Sequence, residues 1–302
     1  MLVANDLFDI DVKQLPKRCG FAYFVDAADI AMENDQRAIC KFQKAELIYK
    51  QILGVYAEKA GSISGLTLGD DSAKIIVFTS PCGGTGTSTV AAASAIHFAM
   101  QGKKTLYLNM EKVGSSDVYF NAEGQFNMSD VVFALKSKKA NLGLKLESCV
   151  KQDKSGVYFY SETNLALDMM ELSQEDISRL VSEVKVTGSY DYIILDMDYS
   201  MDKETLKMWR QAHAVVWVGD GSQVSNTKIH RAFSALTIME QNADSPLTNR
   251  IHLIYNMFSN KTGKSIEENG LKALGGNPRF EHATTEQILE QLCKKDMFDK
   301  LI

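Results

Sequence analysis

The most constraining feature of the sequence is a glycine-rich loop between a strand and a helix. Residues 74–79 are rich in β-branched side chains and predict a buried strand, CGGTGTST follows at residues 82–89, and residues 89–101 predict a helix. Glycines let backbone N–H groups turn inward toward a phosphate, and the start of a helix adds partial positive charge. The loop therefore predicts a phosphate site, in which the hydroxyls of Ser88 and Thr89 lie where a phosphate-bound Mg²⁺ would sit.

The chain beyond this loop alternates between strand and helix. Apolar strand-type runs lie at residues 105–109, 157–160, 192–196, 214–218 and 251–256, and helical patterns lie near 128–135, 174–184, 203–211, 225–241 and 284–294. Such alternation predicts an α/β fold with a mostly parallel sheet covered by helices on both faces. Ligands of these sheets bind beyond the carboxyl ends of the strands.

The start of the chain reads as a separate segment. Glycines and small polar residues cluster at 61–72, which predicts a domain boundary between residues 1–70 and 71–302. Before that boundary the pattern predicts one strand, residues 21–25, and one helix, residues 45–60. Because one strand and one helix cannot bury a core, we expect this segment to pack on the rest of the chain or on a partner.

Composition excludes several classes of protein. The 302 residues are 45% apolar and 24% charged, which is typical of globular proteins, and the net charge of −5 provides no strong attraction for nucleic acid or anionic lipid. The five cysteines lie far apart without a C-x-x-C pair, so a disulfide framework or zinc site is not expected and a reducing cytosol is favoured. We find no apolar stretch of the roughly 18 residues that a membrane span needs and no pattern of a signal peptide.

The loop departs from the common phosphate-binding motif G-x-x-x-x-G-K-[ST], because Thr87 stands at the position of the lysine. It resembles the deviant Walker A motif, K-G-G-x-G-K-[ST]-[ST], of the MinD/ParA ATPases. On that motif both lysines are replaced, the first by Cys82 and the second by Thr87. The remaining positions are filled by Gly83, Gly84, Thr85, Gly86, Ser88 and Thr89.

Further matches follow in the order of that family. Asn109 and Glu111 stand at the two aspartates of a D-x-D strand end, so the resemblance implies that Glu111 positions the attacking water. Asp196 ends a Walker-B-like strand and would hold Mg²⁺ together with Ser88. Asn256 would read the adenine base, and the backbone around Pro278 and Arg279 would close the base pocket. The resemblance covers about residues 73–302.

Within the superfamily the chain is most similar to the TadZ/CpaE proteins of Flp/Tad (type IV) pilus assembly. This resemblance is based on CGGTGTST, on LYLNMEKVGSSDVYF at 106–120, on DGSQVSN at 220–226 and on PRFEHAT at 278–284. Those proteins pair an atypical receiver-like domain with a MinD-like ATPase domain. Residues 1–70 resemble a truncated receiver.

The resemblance implies ATP and Mg²⁺ as ligands, a homodimer, pilus-assembly partners and a cytoplasmic location at the cell pole or the inner face of the membrane. Loss of one charge-assisted hydrogen bond weakens affinity by about 10–100-fold, whereas loss of one such donor slows chemistry by about 10²–10³-fold. The chain is therefore expected to bind ATP as a scaffold and to be at most a slow ATPase. The alternative is an active ParA/MinD-type switch that cycles between monomer and dimer.

Simpler interpretations of the same residues remain open. The loop could be an ordinary tight turn, Asp196 a capping carboxylate, Asn256 a turn residue and Glu111 a solvated acid. The apolar face near the C-terminus carries Glu286, Glu290, Asp296 and Asp299 beside its lysines, so it lacks the basic face of a membrane-binding helix. Neither direct membrane insertion nor binding of nucleic acid is expected.

Overall fold

The computed structural model describes residues 1–8, 10–17, 19–59, 73–137, 141–187, 190–241, 246–266 and 270–302. The predicted domain boundary at residues 61–72 lies outside the described residues. The described residues form two sheets, one before and one after residues 60–72.

The first sheet corrects the prediction of a single N-terminal strand. Its four strands, in the order β1-β2-β4-β3, are β1 (Leu2–Asn5), β2 (Phe21–Val25), β3 (Met32–Glu33) and β4 (Gln36–Cys40). The strands β1, β2 and β4 are parallel, whereas β3 pairs antiparallel with β4 through a turn at Asn34 and Asp35, both at positive φ. The outer strands β1 and β3 and the inner strand β4 were not predicted, because they show no two-residue alternation of apolar side chains.

One helix, α1 (Ala45–Lys59), joins this sheet to the rest of the protein. Lys50 donates from Nζ to the carbonyl oxygen of Val150 at 2.8 Å. A Cβ atom on Gly54 would lie 2.6 Å from the ring of Phe126, so helix and ring are in direct contact. Residues 1–59 therefore pack on the larger domain through this closely fitted helix, and Lys44 Nζ, just before it, adds an ion pair with Glu123 at 3.2 Å.

Replacing Gly54 with leucine is expected to destabilise the protein by about 1–3 kcal/mol, because the added side chain must displace the Phe126 ring in a packed contact. The free energy of unfolding from urea denaturation measures this effect. Tyr49→Leu, at a 58% exposed position of the same helix, is the matched control and should change the free energy by less than about 0.5 kcal/mol. Equal stability of the two variants would contradict the tight contact.

The second sheet has eight strands in the order β12-β11-β10-β5-β9-β6-β8-β7. All neighbouring strands are parallel except β7, which runs antiparallel to β8. The strands are β5 (Lys74–Thr79), β6 (Thr105–Asn109), β7 (Lys151–Gln152), β8 (Tyr158–Phe159), β9 (Tyr192–Asp196), β10 (Ala214–Gly219), β11 (Ile251–Phe258) and β12 (Lys272–Pro278). The predicted mostly parallel α/β fold is confirmed.

Helices cover both faces of this sheet. They are α2 (Thr87–Met100), α3 (Ser116–Tyr119), α4 (Met128–Lys136), α5 (Leu142–Cys149), α6 (Ala166–Met170), α7 (Gln174–Thr187), α8 (Lys203–Gln211), α9 (Gln223–Met239) and α10 (Thr285–Leu292). The core is divided by the sheet into two apolar clusters, one beneath α2 and α10 and the other beneath α4, α5, α7, α8 and α9. The strand β5 lies between β10 and β9. From β5 the chain continues to β6 on one side of the sheet, whereas from β10 it continues to β11 on the other side, so the end of β5 lies at a topological switch point.

The apolar face near the C-terminus packs against the core of the protein. Leu292 and Phe298 are fully buried in the cluster beneath α2. His97 of α2 lies 2.8 Å from the carbonyl oxygen of Cys293 and 2.9 Å from Asp299 Oδ1, and this contact lowers the pKa of Asp299. This histidine therefore holds the C-terminal segment against α2. None of the helices in the described part of the chain is long and apolar enough to cross a membrane.

Candidate functional site

The glycine-rich loop lies at the carboxyl end of β5, in the centre of the sheet. Gly84 and Gly86 have φ angles of +77° and +75°, a left-handed conformation that turns the loop into α2 and favours glycine. Ser80 closes the base of the loop, because its Oγ accepts from the N–H of Cys82 at 3.0 Å and donates to the carbonyl oxygen of Val218 at 2.6 Å. The loop is thus anchored to the neighbouring strand β10.

A cavity of about 310 Å³ opens over this loop. A Cβ atom on Gly83 or Gly84 would meet no atom within 4 Å, so the backbone faces open space there. Open backbone next to the first turn of α2 is the geometry that a phosphate needs. The cavity is lined by Ser80, Cys82, Gly83, Gly84, Gly86, Thr87, Ser88, Glu111, Tyr119, Met197, Asp198 and Tyr199.

The ends of β6 and β9 bring the predicted acidic residues to this cavity. Asn109 and Asp196 are paired in register across the two strands. Asp196 is 1% exposed, and its Oδ2 accepts from the Tyr107 hydroxyl at 2.7 Å and from Asn109 Nδ2 at 3.3 Å. Burial and the charge of Asp196 together raise the pKa of Tyr107, which keeps this phenol a hydrogen-bond donor. These two hydrogen bonds therefore fix the orientation of the Asp196 carboxylate.

Glu111 lies between Asp196 and the loop. Its Oε2 accepts from Ser88 Oγ at 3.1 Å and from Asn109 Nδ2 at 3.2 Å, while its own N–H donates to Asn109 Oδ1 at 2.9 Å. Burial and the nearby charge of Glu111 raise the pKa of Asp196 to about 7, although the hydrogen bond from Tyr107 acts in the opposite direction. The two carboxylates thus form a close pair joined by one neutral amide.

This arrangement fits Mg²⁺ only together with a further ligand. The Oδ1 atom of Asp196 is buried and has no hydrogen-bond partner among the described residues, and a buried acceptor of this kind needs a partner. In the described part of the chain there is no cluster of three or more His, Cys, Asp or Glu side chains that could hold a metal ion. Mg²⁺ in proteins is commonly held by one or two carboxylates plus phosphate oxygens and water, which is the donor set that Ser88, Glu111 and Asp196 would complete.

The residues predicted to contact a base lie on the other side of the loop. Asn256 is buried at 5% exposure, and its Nδ2 donates to the carbonyl oxygen of Thr85 at 2.9 Å. A Cβ atom on Gly86 would lie 2.5 Å from this nitrogen. Pro278 ends β12, and the exposed Arg279 lies 4.0 Å, from guanidinium nitrogen to sulfur, from Met257. Asn256 thus supports the loop, and its contact with adenine stays a prediction.

The structure also places near the cavity three residues that the sequence analysis did not assign. Tyr107 holds Asp196, the Tyr119 hydroxyl lies 3.2 Å from Thr89 Oγ1, and Asp198 lines the cavity. Tyr107 and Asn109 are two residues apart on one strand and so share a face, a signal that could have identified Tyr107. Tyr119 comes from the short helix α3, for which no pattern was recognised.

Comparison with known sequence families gives a match at the start of the chain. Residues 1–57 match the sequence family described as the TadZ-like receiver domain. No protein of curated function matches the chain. The N-terminal match supports the receiver-like assignment of the opening segment.

Solved structures share the fold of the larger domain. A ParA family ATPase from Chlorobium tepidum TLS is 18% identical with a TM-score of 0.58, covering 77% of this chain and 97% of its own. The MinC:MinD cell division complex of Aquifex aeolicus gives 19% identity and a TM-score of 0.56, covering 76% of this chain and 95% of its own. The septum site-determining protein MinD of Pyrococcus horikoshii OT3, solved with Mg-ADP, is 17% identical with a TM-score of 0.56. This match covers 76% of this chain and 94% of the MinD chain. The chain therefore combines a match to the TadZ-like receiver domain at its start with the MinD/ParA fold after it, an arrangement consistent with the TadZ/CpaE-like proteins.

Proposed function

We propose that the chain binds Mg-ATP in the cavity over the glycine-rich loop and uses it as a structural ligand in a MinD-like scaffold of Flp/Tad pilus assembly. The observation that carries this proposal is the open backbone at Gly83 and Gly84, next to the start of α2 and the carboxylate pair. Backbone N–H groups and the helix terminus would bind phosphate oxygens. Bound Mg²⁺ would supply the positive charge that the phosphates require.

Each side chain around the cavity has a defined task in this proposal. Ser88, Glu111 and Asp196 would hold the metal with their oxygen atoms, and Tyr107 would keep Asp196 in orientation. Thr87 and Thr89 would contribute hydroxyls at the first turn of α2. Asn256 would keep the loop in its phosphate-binding shape through the Thr85 carbonyl.

Hydrolysis is expected to be weak because the described residues that line the cavity include no lysine or arginine. Cys82 and Thr87 line the cavity where the related ATPases carry lysines. Removing one preorganised donor to a developing negative charge slows such reactions by about 10²–10³-fold. The nucleotide would therefore stay bound without being hydrolysed, and it would stabilise the oligomer that binds it.

We infer that this assembly is a homodimer, stabilised by ATP through mass action. Its partners would be other proteins of the pilus machinery, at the cell pole or the inner face of the membrane. The match of residues 1–57 to the TadZ-like receiver domain supports a role in that machinery. The mild acidity of the chain, with a net charge of −5, favours protein partners over nucleic acid or direct membrane insertion.

Calorimetric titration of the full chain with Mg-ATP, combined with light scattering, tests the proposal. Binding in the micromolar range and a doubling of mass in Mg-ATP are expected, and Asp196→Ala should lose both. If the wild-type protein gives no binding heat, the proposal is wrong, and the chain is an interaction domain whose pocket does not bind nucleotide.

An active ATPase switch is the second candidate, and the contact between Glu111 and Ser88 at 3.1 Å is the observation in its favour. This contact holds a carboxylate beside the phosphate loop, where it could orient water. We expect phosphate release below about one turnover per minute, far under the usual enzyme range of roughly 1–10³ per second. Faster release that Glu111→Ala abolishes would establish the switch, whereas equal background rates in the two proteins would support the scaffold.

A further inference from the structure

A groove of about 710 Å³ lies between α2, α3 and α10, on the side of the sheet that α2 and α10 cover. Its floor is apolar, because the buried side chains of Leu289 on α10 and Cys293 just after it line the groove. Met100 at the end of α2 and Val118 of α3 also line it, and each is 61% exposed. Large apolar side chains that cluster at an open groove are typical of a surface that another molecule covers.

We propose that this groove binds a basic amphipathic helix of a partner protein. The proposal rests on the scaffold function described above only in that a scaffold needs partners, and it does not require a nucleotide in the phosphate cavity. The groove would give the scaffold one defined surface for such a partner.

The spacing of the apolar side chains favours a helix as the occupant. Ile96 and Met100 are four residues apart and so share one face of α2, and Leu289 and Cys293 have the same spacing at the end of α10. Between two such apolar ridges, the side chains of a third helix can pack. None of the described lining residues belongs to a strand, so the groove offers no strand edge with which an extended peptide could pair.

The charges around the groove favour a basic partner. Among the described residues that line it, four are acids and two are lysines. One of the lysines is engaged within the protein, because Lys154 Nζ lies 2.7 Å from Glu286 Oε1. Asp117 of α3 and Glu290 of α10 are both exposed and come from different walls of the groove. Lysines or arginines beside an apolar helix face would therefore be attracted, whereas an acidic helix or an anionic lipid surface would be repelled.

The groove borders the candidate nucleotide site through α3. Tyr119 lines both cavities, and its hydroxyl lies 3.2 Å from Thr89 Oγ1 in the first turn of α2. In the chain, only residues 112–115 separate Glu111 from the start of α3. A partner in the groove would therefore contact a helix that also lies beside the phosphate loop.

Fluorescence anisotropy of two labelled peptides titrated with the full chain, in buffer without nucleotide, tests the proposal. Each peptide is an amphipathic helix of about 18 residues, or five turns, with leucine on one face, and the other face carries lysine in the first peptide and glutamate in the second. We expect the lysine peptide to bind at least about 10-fold more tightly than the glutamate peptide. Equal affinities, or binding of neither peptide, would overturn the proposal. Because no nucleotide is present, this result is independent of the Mg-ATP titration that tests the proposed function.

Met100→Lys shows whether the peptide occupies the groove. The substitution replaces an apolar contact with a like charge and should weaken binding of the lysine peptide by about 10-fold or more. Met239→Lys is the matched control, because Met239 ends α9 as Met100 ends α2, is 58% exposed and lies outside the groove lining. Equal losses in the two variants, or no loss in Met100→Lys, would contradict the proposal.

Light scattering of the nucleotide-free protein distinguishes a partner helix from a second copy of this chain. We expect wild type and Met100→Lys to have the same mass. A wild-type dimer that Met100→Lys converts to a monomer would show that a second copy covers the groove, and the proposal of a basic partner would be wrong.

Discussion

Replacing Asp196 with asparagine is expected to stabilise the nucleotide-free protein and at the same time to abolish its response to Mg-ATP. Asp196 is 1% exposed, and its pKa is raised to about 7 by burial and by the charge of Glu111. Each unit of such a shift corresponds to about 1.4 kcal/mol, so the ionised carboxylate destabilises the folded state by up to a few kcal/mol. Asparagine has nearly the same shape and carries no charge.

The sign of the pH dependence follows from the raised pKa. Below about pH 4 the carboxyl is protonated in both folded and unfolded chains, so it contributes no difference. As the pH rises toward 7, the unfolded chain releases the proton while the folded chain retains it, and the wild-type protein loses stability. Above pH 7 the full penalty is present. The stability difference between Asp196→Asn and wild type should therefore grow from pH 4 to pH 7 and then stay constant.

Urea denaturation in EDTA at pH 5 and pH 8, repeated with saturating Mg-ATP at pH 8, measures both effects. Wild type should gain stability from Mg-ATP and the variant should not. Asp29→Asn is the matched control, because Asp29 is exposed and its replacement should alter neither property. A variant less stable than wild type in EDTA at pH 8 would show that the buried charge is compensated in the nucleotide-free protein.

The central strands could be predicted from the sequence because they are continuous apolar runs. β5, β6 and β9 occupy the predicted residues, and each is covered by helices on both faces. The residue pattern did not predict β12, since its segment KALGGNP contains two glycines and a proline and lies at the edge of the sheet, and only the family resemblance implied a strand end near Pro278. Its position is set by parallel pairing with the preceding strand β11, which the residue pattern of the segment itself does not encode.

In the candidate site, too, the features that follow single strands could be predicted, whereas those that depend on how strands pair could not. The glycine loop, Glu111 and Asp196 follow strand ends, so the parallel sheet predicts that they meet at one edge. The bond from Tyr107 to Asp196 depends on the register between β6 and β9, which no single strand specifies.

Gly86→Val is expected to abolish the binding of Mg-ATP and to destabilise the protein by several kcal/mol. Gly86 has a φ of +75°, which a β-branched residue adopts only under strain of about 1–3 kcal/mol. Its Cβ would also lie 2.5 Å from Asn256 Nδ2, the atom that supports the Thr85 carbonyl. The substitution thus deforms the loop and breaks its link to β11.

Gly83→Ala separates the shape of the loop from its contact with phosphate. Gly83 is exposed, has no neighbour within 4 Å of a Cβ atom and does not adopt a left-handed φ, so alanine should change the free energy of unfolding by less than about 0.5 kcal/mol. Its methyl group would nevertheless face the cavity that we assign to phosphate, and the affinity for Mg-ATP should fall by about 10-fold or more, the loss expected when one hydrogen bond to a charged group is blocked. Thermal melting and calorimetric titration measure the two quantities separately. If Gly83→Ala binds Mg-ATP as tightly as wild type, the phosphates do not approach the backbone at residue 83, and the nucleotide must be sought elsewhere along the carboxyl edge of the sheet.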